Sequence, residues 1–315
     1  MRLPIVAFLL AGTLLAQPGT FSIPKIDLIE FYGLRRVSPN LARQALGLKE
    51  GDPLPPSKAD AEDRLLDLDR VVAAELEAVC CDENKTVLYV GIEEIGGPHY
   101  PVRQAPGGGA MLSEQVFAIG QRVVPYILTG PTAPSQLFPF VDANLAMIRE
   151  VLRESGDEFH RAAAAYLLPY ATRKTEIVDD LQAALTDNDA TVRVRAMQAL
   201  LALAQLGRTN PASGIRVPAE WFVPALTSVT WTDRKEAIAA LTALTQDRDR
   251  AVLKELRGET LAALIEMSRW QTRTHAYPAF LLVGRVAGLR DVDTRDAWLR
   301  AGRETVIGQA LVKAQ

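Results

Sequence analysis

Residues 181–206 read LQAALTDNDATVRVRAMQALLALAQL and contain two apolar runs on either side of a polar turn. In both runs Ala and Leu recur at spacings of three and four residues, the period of a helix with one buried face. Asn188 or Asp189 suits the N-cap of the second helix, because a short polar side chain there accepts a backbone N–H. The stretch therefore predicts a helix pair joined by a short turn.

The same pattern recurs on both sides of this pair. Stretches that open at Phe159, Val192 and Asp233 each begin an Ala/Leu helix. When Ala163, Ala196 and Ala237 are placed in register, they are 33 and 41 residues apart. The same register also superposes Leu167, Leu200 and Leu241. Small residues let helices approach closely, and a leucine one turn later fills the space between them. We expect about four to five stacked helix pairs over residues 142–308, with an irregular helical bundle as the alternative.

Residues 24–95 have a different pattern, in which three strand-type runs surround two helical ones. Lys25–Tyr32 (KIDLIEFY) is rich in branched and aromatic residues and ends at Gly33, as a strand entering a turn does. Leu76–Cys81 and Thr86–Ile92 are apolar runs separated by the turn DENK, which predicts a hairpin.

Two short helices are predicted between the first strand and this hairpin. Ser38 before Pro39 is a start signal for the first, Gly47 is its stop, and Ser57 starts the second. The expected buried positions are Leu41, Ala45 and Leu46, followed by Ala61, Leu65 and Leu68. The order is β-α-α-β-β, so the predicted fold class is an α+β N-terminal domain followed by an all-α solenoid.

The N-terminal stretch resembles a POTRA domain, the polypeptide-transport-associated module. The matching segments are IEFYGLRRVS, LGLKEGDPL, RLLDL and LYVGIEE, with Gly33, Gly51-Asp52 and Glu93-Glu94 at the positions where the family has its motif residues. The resemblance covers about 70 residues and implies binding of partner segments by strand addition at a sheet edge. Outer-membrane members carry several copies and this chain has one, so their assembly function is not implied.

The helical part resembles HEAT repeats. The match is good for residues 181–206, including the Asp turn followed by Val-Arg, and partial for the neighbouring copies. This resemblance implies an extended groove over residues 111–315 that binds a partner.

The remaining segments predict how the chain is organised and where it is located. MRLPIVAFLLAGTLLA, residues 1–16, has one positive charge and an apolar run that is shorter than the about 20 residues a membrane span needs. We interpret it as a signal peptide, with an uncleaved anchor as the alternative, and residues 96–110, which are rich in Gly and Pro, as a linker. We therefore expect an exported protein that is periplasmic or extracytoplasmic and at most peripheral to a membrane.

The charge pattern bears on the class of partner. The 315 residues carry 35 Lys and Arg against 38 Asp and Glu, a net charge of −3, which argues against a strongly basic nucleic-acid surface. Arginines are frequent in residues 247–303, but acidic residues lie among them, and Trp270, Tyr277 and Trp298 are expected to be core residues. No nucleic-acid partner and no small-molecule substrate are predicted.

The sequence predicts no catalytic, cofactor-binding or metal-binding residue. His99, His160 and His275 lie in separate segments without a second ligand at helical spacing, so they are interpreted as structural or surface residues. Asp187–Thr191 matches a phosphoaspartyl string (DxDxT), but the preceding run is helical, and a cap is favoured over a nucleophile. Asp291–Asp296 opens like a calcium loop but lacks the following Gly and the distal Glu.

Cys80 and Cys81 are adjacent on a predicted strand, where their side chains point to opposite faces. A disulfide between neighbours requires a strained ring, so two thiols are expected. An exposed thiol in an oxidising compartment would be able to cross-link two chains.

These features together predict a non-enzymatic adaptor of the bacterial-type cell envelope. It would bind a protein partner through the POTRA-like sheet edge and the HEAT-like groove, without a cofactor. The alternatives are an enzyme or enzyme subunit with a carboxylate and Arg site between the domains, and a purely structural envelope component. A deep cleft with raised carboxylate pKa values would favour the enzyme, and an unpaired sheet edge would favour the adaptor.

Overall fold

A computed structural model describes residues 23–82, 85–122, 128 and 134–315. The N-terminal part contains five elements in the predicted order β-α-α-β-β. They are β1 (Leu28–Tyr32), α1 (Pro39–Leu46), α2 (Ala59–Leu66), β2 (Val71–Asp82) and β3 (Lys85–Glu94). The predicted signal peptide, residues 1–16, and part of the predicted turn, residues 83–84, lie outside the described residues.

The three strands form one mixed sheet in the order β1-β3-β2. β3 lies in the centre, parallel to β1 and antiparallel to β2. β2 begins at Val71, before the predicted Leu76, because the ladder with β3 continues to the pair Val71–Glu94 across one irregularity. β1 ends at Tyr32, and the following Gly33 has a φ of +82° and a close approach to the carbonyl of Ile92 that require a residue without a Cβ.

The first helix begins and ends where the sequence predicts. The Ser38 hydroxyl accepts the backbone N–H of Leu41, and Gly47 adopts the left-handed conformation at the C-terminal end. In the predicted stripe Leu46 is buried as expected and Ala45 is partly buried, but Leu41 is 46% exposed, and Ala42 is buried in its place. In α2 the buried residues are Ala61 and Leu65, as predicted, whereas Leu68 lies beyond the helix and is only partly buried.

The rest of the chain is helical, and the described helices are connected by short 3₁₀ turns and loops. They are α3 (Glu114–Gly120), α4 (Leu137–Glu154), α5 (Glu158–Leu167), α6 (Val178–Ala184), α7 (Ala190–Thr209), α8 (Trp231–Leu244), α9 (Arg250–Glu255), α10 (Thr260–Ser268), α11 (Arg273–Ala287), α12 (Asp291–Leu299) and α13 (Arg303–Ala314). Within the described ranges, no helix has both the length and the apolar composition needed to cross a membrane.

Two predictions about helix boundaries differ from the structure. The spacing of apolar residues in Met111–Leu128 predicts one helix, disturbed at Pro125. The helix of the structure, α3, begins at Glu114 and ends at Gly120, and residues 123–127 lie outside the described part. The stretch GPTAPSQLFPF, residues 130–140, predicts a loop, but residues 137–140 form the first turn of α4. Pro139 fits there because the first four N–H groups of a helix have no intrahelical acceptor.

The residues predicted to repeat in register are all buried; they are Ala163, Ala196, Ala237, Leu167, Leu200 and Leu241. They lie in α5, α7 and α8, where α5 packs against α7 and α7 against α8. Buried ion pairs run alongside: Arg161 Nη2 lies 2.8 Å from Asp187, and Arg193 Nη2 lies 2.7 Å from Asp233. The coarse prediction of a mixed sheet followed by helices is therefore confirmed.

The segment predicted as a linker, residues 96–110, contains no helix or extended strand and packs on the helical part. The Tyr100 hydroxyl donates to the carbonyl of Leu185 at 2.5 Å, and Arg103 Nη2 lies 2.6 Å from Asp187. The backbone N–H of Gly108 donates to the carbonyl of Glu154 at 2.9 Å.

Candidate functional site

Both faces of the sheet are covered. Helices α1 and α2 lie on one face, and the helical part that follows the sheet lies on the other. Alternate residues of β3 point to opposite faces. Leu88, Val90 and Ile92 pack on α1 and α2, whereas Val87 and Tyr89 belong to the same core as the helical part. We call the contact between this second face and helices α8, α10 and α11 the junction. It places the N-terminal sheet and the helices in one packed structure.

Aromatic side chains from both sides form the centre of the junction. Tyr89 stacks on Trp231 with ring centroids 4.7 Å apart, and Trp270 lies 4.9 Å from Tyr89 and 5.8 Å from Tyr32. The Tyr89 hydroxyl is 2.5 Å from Nδ1 of His275. Aromatic pairs of this kind contribute about 0.5–1.5 kcal/mol beyond their buried area, so the junction is a stable contact.

Gly91 allows the closest approach across the junction. A Cβ on this residue would lie 1.9 Å from the carbonyl oxygen of Val229 and 2.7 Å from the ring of Tyr32. That same carbonyl accepts the Tyr32 hydroxyl at 2.7 Å. The missing side chain therefore makes room for a backbone segment of the helical part.

Three glutamates connect the two sides by accepting backbone N–H groups. Glu30 of β1 accepts from Gln271 at 2.6 Å, and Glu266 of α10 accepts from Gly33 at 2.9 Å. Glu77 of β2 accepts from the backbone N–H of Thr232 at 3.2 Å and also from its hydroxyl.

Burial raises the pKa of all three carboxyl groups. For Glu77 the hydrogen bonds from Thr232 oppose this effect without cancelling it. For Glu266 the guanidinium of Arg234 and the N–H of Gly33 oppose it, and for Glu30 the N–H of Gln271 does. The junction therefore holds carboxylates that bind protons more readily than the same groups in water.

This shift predicts a pH dependence of stability at Glu77. Because its pKa is higher in the folded protein than the ordinary value of 4.5, the folded state binds more protons between the two values, and its stability falls as pH rises through that window. Glu77→Gln keeps an acceptor for Thr232 and cannot ionise. We expect the free energy of unfolding of Glu77→Gln, minus that of the native protein, to increase as the pH rises from about 4 to about 8 in denaturant titrations. Glu158→Gln, at an exposed glutamate of α5, is the matched control, and a difference that grows toward low pH would contradict the prediction.

A cavity of about 720 Å³ opens beside the junction, between the sheet and α10. Its apolar walls include Phe31, Ile92 and Trp270, and its charged groups include Glu30, Glu266 and Arg269. Volume and location are typical of ligand sites, which often lie between domains. These three charged groups are already engaged, since Glu30 and Glu266 accept backbone N–H groups and Arg269 forms two hydrogen bonds with Glu304.

The outer edge of the sheet, which β2 forms, is a second candidate binding surface. β2 is an edge strand of 12 residues, and within the described ranges no other strand pairs with its outer side. Helix α2 covers the beginning of this edge, where Glu62 accepts the outward N–H of Leu76 at 2.8 Å and Lys58 forms ion pairs with Glu62 and Glu75. By strand alternation the N–H of Ala78 also points outward, and Ala78 is exposed.

The structure places the three histidines apart. His99 Nδ1 is 2.9 Å from Glu93, and His160 accepts the backbone N–H of Leu112 at 3.0 Å and stacks on Phe117. His275 lies in the junction. Among the described residues, no group of three or more His, Cys, Asp or Glu side chains is arranged to hold a metal ion.

The two aspartate clusters have structural partners. Asp189 caps α7 by accepting the N–H of Val192 at 3.0 Å, as predicted. Asp187 is fully buried between Arg161 and Arg103; burial would raise its pKa, but their hydrogen bonds outweigh that effect and lower it. Residues 291–296 begin α12 instead of forming a loop, and Asp291 pairs with Arg285 at 2.7 Å.

Cys80 is disulfide-bonded, which differs from the free thiol expected for it, and no free thiol is found in the described part of the chain. The side chain of Cys81 lies outside that part.

No protein family, curated protein or solved structure matches the chain. Its function therefore has to be inferred from the geometry of the sheet and the helices.

The residues that build this site were not singled out from the sequence. Glu30, Glu77 and Glu266 lie in separate elements, and no motif links them. A signal was present at Gly91, since a single glycine inside an apolar strand indicates close approach of another backbone.

Proposed function

We propose that the protein is a non-enzymatic adaptor that binds a protein partner by strand addition at the outer edge of β2. The observation that carries this proposal is the absence of a strand beside that edge among the described residues, together with the exposure of Ala78. An unpaired edge offers backbone donors and acceptors to an extended segment. The capped beginning of the edge at Leu76 would restrict a partner strand to the second half of β2.

The proposed adaptor has a POTRA-like N-terminal part and a HEAT-like helical part, and it is located in the cell envelope. A POTRA-like N-terminal part is supported by its β-α-α-β-β order, by the requirement for glycine at Gly33, and by Glu94, which accepts the N–H groups of Arg35, Arg36 and Val37. A HEAT-like stack is supported by the buried register positions of α5, α7 and α8. Export to the cell envelope rests on residues 1–16, and the stack would supply a second partner surface.

A test replaces Ala78 by proline. Because its N–H points away from β3, Ala78→Pro removes one outward donor and leaves the hydrogen bonds between β2 and β3 in place. We expect Ala78→Pro to lose partners that tagged full-length protein recovers from envelope extract, whereas Ala78→Thr, which keeps the N–H, retains them. Point variants are preferable to domain deletions, which would expose Tyr89 and its aromatic neighbours.

Two outcomes would count against strand addition. One is recovery of the same partners with both variants while circular dichroism shows both to be folded. The other is the absence of any stable partner of the native protein.

The second candidate is an enzyme or enzyme subunit that uses the cavity. The specific observation in its favour is that Glu30 and Glu266 both line the cavity and both have raised pKa values, chiefly because of burial. We rank it second because both carboxylates accept backbone N–H groups that hold the junction together. A structural role accounts for their burial and their pKa shifts without a reaction.

A further inference from the structure

The C-terminal helices hold a tryptophan with two arginines over its ring. Trp298 of α12 packs against Tyr277 and Phe280 of α11, with ring centroids 5.4 and 5.2 Å away. The guanidinium carbon of Arg303 lies 4.2 Å from the centre of the Trp298 ring, and that of Arg273 lies 5.9 Å away. We call Arg273, Trp298 and Arg303 the Trp298 cluster.

Among the described residues, neither arginine of this cluster forms an ion pair with a carboxylate. In the described part of the chain no Asp or Glu oxygen lies within 4.0 Å of Arg273 or Arg303. Glu304 follows Arg303 directly, but its two oxygens accept from Nε and Nη2 of Arg269 at 3.0 and 2.7 Å. The cluster therefore carries two positive charges without a bonded counter-charge.

The electrostatics of Arg303 show the cost of this arrangement. Partial burial lowers its pKa, Glu304 raises it, and the positive charge of Arg273 lowers it further. Arg303 is also the first residue of α13, where the helix dipole disfavours a cation. A bound anion would offset the repulsion between the two guanidiniums and the unfavourable position of a cation at the start of α13.

Three buried arginines of the helical part are arranged differently. Arg161, Arg193 and Arg285 each donate to an aspartate, at 2.8, 2.7 and 2.7 Å. The fold therefore neutralises its structural arginines with its own carboxylates. The Trp298 cluster lies instead on a surface that solvent reaches, since Arg273 is exposed and Arg303 half-buried.

We propose that the Trp298 cluster binds a phosphate group. A phosphate oxyanion has enough acceptor oxygens for two guanidiniums at once, and its double negative charge matches theirs. The Trp298 ring supplies a flat apolar wall that fixes the arginine planes. The group belongs either to free phosphate or to a lipid headgroup, and this inference is independent of strand addition at β2.

Stacking alone is the competing explanation, because cation–π contacts stabilise a fold without any ligand. The two explanations differ in their response to anions. If the arginines only stack, phosphate has no more effect than another anion at equal ionic strength. If they form a site, phosphate binds and its affinity depends on both arginines.

The test is calorimetric titration of the full chain with inorganic phosphate, at constant ionic strength in chloride, with acetate as the comparison anion. We expect saturable phosphate binding that Arg303→Gln and Arg273→Gln each weaken about tenfold or more, the loss of one charge-assisted hydrogen bond. Arg216→Gln, at an exposed arginine outside the cluster, is the matched control and is expected to bind like the native protein.

A second arm identifies the source of the phosphate. Phosphatidylcholine vesicles with and without phosphatidic acid are sedimented with the native protein and with Arg303→Gln. Binding to phosphatidic acid that requires Arg303 would assign a lipid headgroup, and titration by inorganic phosphate alone would assign free phosphate. The proposal is overturned if neither probe binds, if acetate is equivalent to phosphate, or if both arginine variants bind like the native protein.

Discussion

Asp233→Ala is expected to lower the free energy of unfolding by about 3–5 kcal/mol, the cost of leaving one member of a buried ion pair without its partner. Asp233 is fully buried, and Arg193 donates to it through Nε at 2.9 Å and Nη2 at 2.7 Å. Burial raises the pKa of Asp233, and the bonds from Arg193 and Ser228 oppose the rise. Removal of the carboxylate leaves the guanidinium without a charge partner between α7 and α8. Equilibrium unfolding in urea measures the difference.

Two controls separate this effect from a general loss of packing. The double variant Arg193→Met with Asp233→Leu is expected to recover most of the lost stability, because it removes both charges of this buried pair. Asp293→Ala breaks a pair with Arg290 that has the same 2.7 Å separation but is exposed, and it is expected to change stability little. If Asp233→Ala is no more destabilising than Asp293→Ala, the buried pair does not have the assigned role.

Local features of the fold could be predicted because they depend on neighbouring residues. Ser38 and Asp189 cap the helices that follow them, and each does so through a side chain three residues before the N–H it accepts. The buried register of Ala163, Ala196 and Ala237 follows from helical periodicity alone. These interactions span a few residues, so a sequence pattern contains the whole interaction.

Features that depend on tertiary packing were predicted less well. Leu41 fits a helical stripe as well as Ala42 does, and only the position of the sheet decides which of them is buried. Phe138 and Phe140 flank a proline and indicate a loop, yet packing of the first turn of α4 makes them helical. Periodicity does not identify the element against which a face packs.

The junction shows this limit most clearly. Tyr32 and Tyr89 belong to the sheet, and Trp231 and Trp270 belong to the helices, so no local pattern relates them. The apolar run Thr86–Ile92 did contain a signal, since a strand that is apolar at every position is buried on both faces. Only one feature of the candidate site could therefore be predicted from the sequence: β3 is covered on both of its faces.

The junction also bears on partner binding. Because the helices cover one face of the sheet and α1 and α2 cover the other, β2 is held in place by the ladder with β3 and by the contact of Glu77 with Thr232. A partner strand would therefore meet an edge that is already ordered. Less conformational entropy is lost on binding to such an edge than to a mobile one.

Gly91→Ala is expected to lower the free energy of unfolding by about 2–3 kcal/mol, in the upper part of the range for an overpacked core. The new methyl group would lie 1.9 Å from the Val229 oxygen, a backbone atom that no rotamer change can move away. The segment around Val229 would have to shift, and the hydrogen bond from the Tyr32 hydroxyl would be lost or lengthened. Urea unfolding measures the loss, and near-ultraviolet circular dichroism reports the change around Trp231 and Trp270.

Gly308→Ala is the matched control, because a Cβ there meets nothing within 4 Å on an exposed face of α13. It is expected to raise stability by about 1 kcal/mol, since glycine is a weak helix former. Opposite signs for the same chemical change would show that the close approach at Gly91, and not the loss of a flexible residue, determines the result. Equal stabilisation by both variants would mean that the helices do not pack on the sheet at Gly91, and the assignment of the junction would then be wrong.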